Sequence, residues 1–243
     1  MASNRHYKNA PIENALIDVQ VEAGTFCDLA LLAAPPLPIR EKYPESSPVI
    51  SGTAAISIGA ASSASFQPSQ VGYFRGSKTG PLGMQVRQDG LTVSRGRPYE
   101  SWESLRTEFM EVWDWYKNVV NVVRIRRIGV RYTNRILLPQ PVENFRDYFN
   151  TLPTIGDGLP GGLAAYAMQL QIPLGNSGDV AIFSQAMPPF TGGDGIPIIL
   201  DIDVVRPVAL PAAALPTALD ELHAHENKFF EDSITDRTRE IIS

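Results

Sequence analysis

The chain has 243 residues, of which 44% are apolar and 19% charged, and its formal net charge is −5. A composition this apolar can bury a sizeable core, which excludes the disordered, collagen-like and disulfide-scaffold classes. The mildly acidic balance removes the general electrostatic attraction that nucleic-acid binders use, so nucleic-acid binding is not expected. The one cysteine, Cys27, allows neither an intramolecular disulfide nor a cysteine-based zinc site, and it favours a reducing compartment.

The sequence contains no pattern typical of a membrane span or an export signal. Its longest apolar stretch, Leu29 to Pro38, is interrupted by prolines and is far shorter than the ~20 residues of a spanning helix. The first residues, Met1 to Asn9, are polar and lack the apolar core of a signal peptide. We therefore expect a cytoplasmic protein that does not associate with a membrane.

Alternating apolar and polar residues predict strands in the first half of the chain. Residues 15–22 alternate and predict a half-buried strand, and residues 25–34 predict a short helix that the following prolines end. The segment 35–68 is rich in Pro, Ser, Ala and Gly; a strand is possible at 54–60, and its flanks are predicted to be loop. Three strands are predicted within 71–95, where Asp89-Gly90 is a strong hairpin signal.

A long helix and a second set of strands follow. Ser101 is predicted to cap a helix that ends near Asn118. The next element, 122–138, is predicted to be a long strand with Ile128, Val130 and Tyr132 on its buried side. The remaining predicted elements are a helix at 142–151, strands at 164–174, 180–185 and 196–205, and a helix from residue 216 onward.

This order predicts an α+β fold with a largely antiparallel sheet, or sheets, and with the helices packed on one face. Residues 1–121 and 122–243 each show a β-α-β-β-β-α-like order, although no residue-level repeat is visible. We expect the two αβ halves to form one compact domain. The similarity between the halves is a pattern analogy and says nothing about activity.

Residues suited to nucleophilic or phosphate chemistry are sparse. His223 and His225 are two positions apart on a predicted helix and point in different directions, so they cannot ligate one metal together. We expect both to be ordinary helix residues. The glycine-rich segment 156–162 lacks the Lys-Ser/Thr pair of a phosphate loop and is predicted to be a flexible connection.

The polar sides of the predicted strands supply the candidate binding residues, which are Arg87, Arg131, Arg135, Gln169, Asp201 and Asp203. Carboxylates at positions 201 and 203 of one strand lie about 7 Å apart, near enough to share a divalent ion. Arg131 and Arg135 could hold an anion or a partner's carboxylates in bidentate fashion. The alternative is a solvated sheet face with cross-strand Arg–Asp pairs, each worth ~0.2–1 kcal/mol.

Two functional hypotheses follow from these residues. The first is a non-catalytic binding or accessory protein, without a cofactor, that recognises a protein partner or a small anionic ligand on the polar face. The alternative is a metal-dependent phosphoryl-transfer or hydrolytic enzyme that uses Asp201 and Asp203. A third carboxylate would then come from Glu226, Glu231 or Asp236, provided that the last helix folds over that strand.

Short motifs along nearly the whole chain carry a family resemblance. They are Asn9-Ala10-Pro11-Ile12-Glu13, Gln85 with Arg87-Gln88-Asp89-Gly90, Tyr99 with Trp102, Gly129-Val130-Arg131-Tyr132-Thr133-Asn134, Leu200-Asp201-Ile202-Asp203, and Phe229-Phe230 with Ile234-Thr235-Asp236. With these motifs the chain resembles a family of sporadically distributed bacterial proteins of about this length. The resemblance implies no catalytic residues. The patchy distribution implies an accessory role, including one in a defence or toxin–antitoxin setting.

Overall fold

Strands make up most of the regular structure of the chain. The computed structural model describes residues 7–24, 27–57, 63–78, 80–156, 163–175, 178–189, 192–193 and 195–243. The strands are β1 (Ile12–Ala23), β2 (Glu45–Ser57), β3 (Ser63–Gly76), β4 (Leu82–Arg87), β5 (Gly90–Gly96), β6 (Val122–Leu138), β7 (Tyr166–Leu174), β8 (Asp179–Met187) and β9 (Ile196–Leu210). The α-helices are α1 (Leu29–Ala33), α2 (Leu37–Lys42), α3 (Trp102–Val119), α4 (Leu215–Ser233) and α5 (Asp236–Ile242), and 3-10 turns occur at Phe145–Asp147 and Ala212–Ala214.

These strands belong to one antiparallel sheet, in the order β2-β3-β4-β5-β1-β6-β9-β8-β7. β1 and β6 pair at its centre, and the halves extend outward from them in matching order, β1-β5-β4-β3 on one side and β6-β9-β8-β7 on the other. The sheet is therefore continuous across the predicted boundary between residues 121 and 122. This architecture confirms the predicted α+β class and its antiparallel sheet.

The long helices α3 and α4 pack on one face of the sheet. α3 lies on β5 and β1, and α4 lies on β9 and β6. As predicted, Ser101 caps α3, because its hydroxyl accepts a hydrogen bond from the backbone N–H of Ser104 at 3.1 Å. Among the described residues, no helix is both long enough and apolar enough to cross a membrane.

The two halves attach these helices to the sheet in the same way. Arg95 of β5 contacts Glu108 of α3 at 3.3 Å, and Arg206 of β9 contacts Glu221 of α4 at 2.7 Å. Strands β5 and β9 occupy matching places in the sheet, next to β1 and β6 respectively. Arg206 is also held by Asp179 at 2.6 Å. Paired charges thus help to fix the two helices in position above the sheet.

The central strand β6 has the bounds and the facing that the alternation predicts. Ile128 and Val130 are fully buried and Tyr132 is nearly so, whereas Arg131 between them is exposed. Side chains of a strand point alternately to opposite faces. β6 therefore gives one row of side chains to the core under the helices and the other row to the opposite, polar face.

The possible strand at 54–60 is confirmed over 54–57, where β2 runs, and 58–60 lie outside the described residues. The loops predicted on its flanks are wrong, because the segment also contains α2, the first part of β2 and the start of β3. Pro48 lies in β2, which is an edge strand. Pro68 lies in the part of β3 that pairs with β2 alone, since β4 pairs only with 72–76. A proline at such a position does not remove a hydrogen bond from the sheet interior. The Pro- and Ser-rich composition of this segment is therefore compatible with a long hairpin at the edge of the sheet.

The predicted helix at 142–151 is also wrong, since only the short 3-10 turn at Phe145–Asp147 forms. The backbone after this turn pairs with the chain that follows α4. Phe149 forms a β-bridge with Ile234, and the carbonyl of Tyr148 accepts hydrogen bonds from the N–H of Thr235 at 3.0 Å and the hydroxyl of Thr238 at 2.6 Å. The glycine-rich segment that follows lies outside the described residues from 157 to 162.

Replacing Val130 by Asp should test the facing of β6. The side chain is fully buried, so the variant would place an unpaired charge in the core and lose about 3–5 kcal/mol of unfolding free energy. Val123→Asp in the same strand is the matched control, because Val123 is 58% exposed. Urea denaturation measures both variants. Equal stability of the two would contradict the assignment of faces.

Candidate functional site

The structure brings the six predicted site residues onto the sheet face opposite α3 and α4, which we call the polar sheet face. The strand registers establish this placement. Thr133 pairs with Asp201, Asp201 with Ser184, and Ser184 with Gln169, so these four side chains form one row across the sheet. The neighbouring odd-numbered positions of β6 and β9 share that face, and so does Arg87 of β4, which approaches Asp18 there.

The charges at the centre of the polar sheet face are paired within the fold. Arg131 donates from Nε and Nη2 to the two carboxylate oxygens of Asp201 at 2.8 and 2.7 Å. Arg127 donates to Asp18 at 2.7 Å and to Asp203 at 3.2 Å. The hydrogen bond to Asp201 raises the pKa of Arg131. These contacts are the cross-strand Arg–Asp pairs that are expected if this face is a solvated sheet surface and not a binding site.

The remaining predicted residues of this face have weaker contacts. Gln169 donates to the hydroxyl of Ser184 at 3.1 Å, and Arg135 has a 4.0 Å contact with Glu13. Burial raises the pKa of Asp203, against the opposing effect of the neighbouring arginines. Within the described ranges, no group of three His, Cys, Asp or Glu side chains could hold a metal ion.

The third carboxylate considered for the enzyme hypothesis does not reach Asp201 and Asp203. α4 does fold over β9, but it packs against the face of the sheet opposite those two side chains. Glu226 of α4 is buried on that helix-bearing side. The sheet therefore separates Glu226 from the two aspartates.

The pair of Arg131 and Asp201 should contribute modestly to stability. Arg131 is 47% exposed, so solvent screens the pair. We expect a coupling of about 0.5–1 kcal/mol in a double-mutant cycle of Arg131→Ala and Asp201→Asn. Thermal or urea denaturation of the four proteins measures it. Strictly additive effects would show that the bidentate contact does not form in solution.

A pocket of about 880 Å³ opens on the helix-bearing side, between the start of α3 and the second half of α4. Its floor is formed by Tyr132 and Asn134 of β6, and its walls by residues from 7–12, 97–103 and 223–231. The volume lies within the range of small-molecule sites, which are usually apolar clefts with a few converging polar groups. The six predicted site residues lie on the other side of the sheet.

Two stacked rings form one wall of the pocket. The indole of Trp102 and the imidazole of His223 lie nearly parallel, with centroids 4.2 Å apart. Burial lowers the pKa of His223 to about 4, so the ring is neutral at pH 7. Its Nε2 lies 3.0 Å from the side-chain amide of Asn227, and its Nδ1 lies 3.4 Å from the hydroxyl of Tyr132. Both ring nitrogens therefore have partners within the protein.

Two tyrosines meet at the floor of the pocket. The hydroxyl groups of Tyr99 and Tyr132 share a hydrogen bond of 2.7 Å, and their rings are in edge-to-face contact. Burial raises the pKa of both phenols well above their ordinary value. Both are therefore neutral hydrogen-bonding groups at physiological pH.

Glu226 is a buried carboxyl group in the wall of the pocket. It is only 2% exposed, and it makes no hydrogen bond or ion pair with any residue in the described part of the chain. Burial raises the pKa of its carboxyl to about 8. A buried carboxyl with a perturbed pKa at the wall of a pocket is a typical mark of a functional site.

A local signal for this site was present in the sequence. Glu226 follows Leu215, Leu219 and Leu222 in the apolar stripe of α4, where a hydrophobic residue is expected. The sequence led us to consider Glu226 only as a metal ligand and His223 only as an ordinary helix residue. The pocket itself joins segments that are far apart in the chain, which no local pattern brings together.

Comparison of the chain with protein-family models, curated proteins and solved structures finds no match. The family resemblance therefore stays a prediction, and the geometry of the pocket and of the polar sheet face has to support any functional proposal.

Glu226→Gln should remove a pH dependence of stability. Unfolded Glu226 loses its proton near the ordinary value of 4.5, whereas the folded protein keeps it up to about pH 8. Folding therefore takes up a proton between these values, and wild-type stability falls as the pH rises through them. Relative to wild type, the variant should gain about 2–5 kcal/mol between the two values.

Urea denaturation across this pH range measures the difference between the two proteins. The lowered pKa of His223 acts in both and cancels in the comparison. Asp232→Asn, an exposed substitution on the same helix, is the control and should leave the pH profile unchanged. Parallel profiles of wild type and Glu226→Gln would show that the carboxyl is solvated.

Proposed function

We propose that this protein is a non-catalytic binding protein whose ligand occupies the pocket between α3 and α4. The observation that carries the proposal is the convergence of Glu226, Tyr99, Tyr132 and Asn134 on a cavity of about 880 Å³. Aromatic walls supply contact area, and a few buried polar groups fix the orientation of a ligand, which is how small-molecule sites are usually built.

The surroundings of His223 favour binding over histidine-dependent catalysis. The ring stacks on Trp102, and its two nitrogens face Tyr132 and Asn227. A general base must lie within hydrogen-bond reach of the proton that it removes. With both nitrogens occupied and its pKa lowered to about 4, His223 is better suited to shaping the wall than to proton transfer.

One observation favours a catalytic alternative. A carboxyl with a pKa of about 8, such as that of Glu226, is close to the value at which general acid–base catalysis is most effective at neutral pH. A pocket that uses this group for chemistry would convert its ligand into a product. The binding proposal therefore requires that bound molecules be recovered unchanged.

The family resemblance agrees with this location of the site. Several of the motifs that carry it contribute to the pocket, including 9–12, Tyr99 with Trp102, Tyr132 with Asn134, and Phe230. An accessory role in a bacterial defence or toxin–antitoxin setting, a cytoplasmic location and a protein partner are the further parts of the proposal. They rest on the resemblance and the composition rather than on the pocket.

Recognition on the polar sheet face is a separate proposal. Arg131 and Arg135 are both exposed enough to meet a protein partner or a small anionic ligand. The guanidinium of Arg131 already holds Asp201 in bidentate fashion, so an anion would have to compete with that carboxylate. Among the described residues, no basic side chain occupies the carboxyl of Glu226, so a ligand would not have to displace one. The pocket is therefore the favoured site.

A fragment screen on matched variants tests the proposed function. Ligand-observed NMR would measure binding of a set of cationic, neutral and anionic aromatic fragments to the wild-type chain. Asn227→Trp should fill the pocket and weaken binding at least about tenfold, whereas Arg131→Ala on the opposite face should leave it unchanged. Circular dichroism and thermal melting confirm that both variants fold.

The outcomes of this screen are distinct. Fragments that bind wild type and Arg131→Ala but not Asn227→Trp, and that are recovered unchanged, support the proposal. Dependence on Arg131 would transfer recognition to the polar sheet face. Conversion of a fragment would favour the catalytic alternative, and failure of every fragment to bind would contradict the pocket as a small-molecule site.

A further inference from the structure

The carboxylates around the pocket differ in how they are satisfied. Glu100 contacts Arg95 at 2.7 Å, and Glu231 accepts hydrogen bonds from Tyr7 at 2.6 Å and Arg239 at 2.9 Å. Within the described part of the chain Glu226 has no comparable contact, although it is among the most buried residues of the pocket wall. Burying an ionisable group without a partner costs free energy, so its position calls for a partner from outside the chain.

Carboxyl groups outnumber basic side chains in the lining of the pocket. Four carboxylates, Glu100, Glu103, Glu226 and Glu231, line it together with the basic residues Lys8 and Arg97. The guanidinium of Arg97 donates to the backbone carbonyls of residues 12 and 11 at 3.1 and 3.3 Å. With the Glu226 carboxyl, whose pKa is about 8, mostly neutral at pH 7, three carboxylates face two basic groups, a small negative excess that favours cationic over anionic ligands.

Aromatic rings surround the buried carboxyl. Tyr99 and Tyr132 lie close enough to Glu226 for its charge to act on both phenols, and Trp102 and Phe230 line the same cavity. Faces of such rings attract cations, while the rings also bury hydrocarbon. A carboxyl among aromatic rings suits a ligand that carries a positive nitrogen on an apolar body.

We propose that the pocket binds a small organic ammonium ion, with its nitrogen at the carboxylate of Glu226 and its apolar body among the aromatic walls. The inference rests on the proposed binding function and specifies the class of ligand. A free small molecule fits a cavity of about 880 Å³ better than one lysine side chain, which would leave most of it unfilled. An acidic ligand would add a charge of the same sign as the pocket.

Binding of an ammonium ion would change the protonation of Glu226. In the free protein its carboxyl, with a pKa of about 8, is mostly neutral at pH 7. The other titratable groups that line the pocket are Tyr7, Lys8, Arg97, Tyr99, Glu100, Glu103, Tyr132, His223 and Glu231. Of these, Tyr99, Tyr132 and His223 are neutral at that pH. A cation stabilises the ionised carboxylate, so binding should release a proton from Glu226 to the solvent.

Three ligands of similar shape and different charge test whether the pocket selects its ligand by charge or by size. Isothermal titration calorimetry on the full chain would compare phenethylamine, 2-phenylethanol and phenylacetate. Wild type should bind the amine at least about tenfold more tightly than the alcohol, because only the amine forms a charge-assisted contact. Titrations at pH 7 in phosphate and HEPES, which differ in ionisation enthalpy and carry no net positive charge, should show release of up to about one proton with the amine.

Variants of two carboxylates serve as test and control. Glu226→Gln should remove both the preference for the amine and the proton release, while binding of 2-phenylethanol stays within about twofold. Asp232→Asn alters an exposed carboxylate on the same helix that does not line the pocket, and it should keep both. If Glu226→Gln fails to fold, the proton release measured on wild type still decides the question.

Several results would overturn this inference. Equal or tighter binding of the alcohol or the carboxylate, or an unchanged preference for the amine in Glu226→Gln, would show that Glu226 does not select a cation, while leaving pocket binding intact. Tighter binding of a short lysine-containing peptide than of phenethylamine would reassign the pocket to a protein partner. If none of the three ligands binds, the fragments found in the NMR screen decide the question. A preference for cationic fragments would support the inference, and a preference for neutral or anionic fragments would overturn it.

Discussion

β1 and β6 lie antiparallel at the centre of the sheet, and their pairing joins the two halves of the chain along a register that runs from the pair Ile12 and Asn134 to the pair Ala23 and Val122. Because side chains alternate across a strand, a slip of one residue would exchange the two faces of β6. Tyr132 and Asn134 would then leave the pocket floor, and Arg131 would enter the core. The register of this one ladder therefore determines both the pocket and the polar sheet face.

Period-two alternation allowed the sequence to predict most strands and their faces well. The sequence of 122–138 shows by itself which side chains are buried, because Ile128 and Val130 alternate with polar positions such as Arg131. Placing Arg131 and Asp201 on the same face required only the further assumption that β6 and β9 are neighbours in register. The hairpin of β2 and β3 was missed because prolines and serines usually indicate loops, and an edge position that tolerates Pro48 is a tertiary property.

The pocket could not be predicted in the same way, because it is assembled from segments separated by up to about two hundred residues. Its one local trace, a carboxylate in the apolar stripe of α4, is ambiguous without tertiary structure. Glu108 of α3 occupies a similarly buried position and serves the fold, with Arg95 at 3.3 Å, Lys42 at 3.0 Å and the hydroxyl of Tyr43 at 2.5 Å. Only the surroundings distinguish it from Glu226.

This contrast between two buried glutamates explains why the pocket, and not the polar sheet face, is the favoured site. Glu108 and Glu226 are equally inaccessible to solvent, but in the described part of the chain only Glu108 has its charge compensated by the fold. The aspartates of the polar sheet face resemble Glu108, since arginines of neighbouring strands neutralise them. A fold that pairs these acids has the means to pair Glu226 as well, and a buried acid left unpaired at a cavity is characteristic of a functional site.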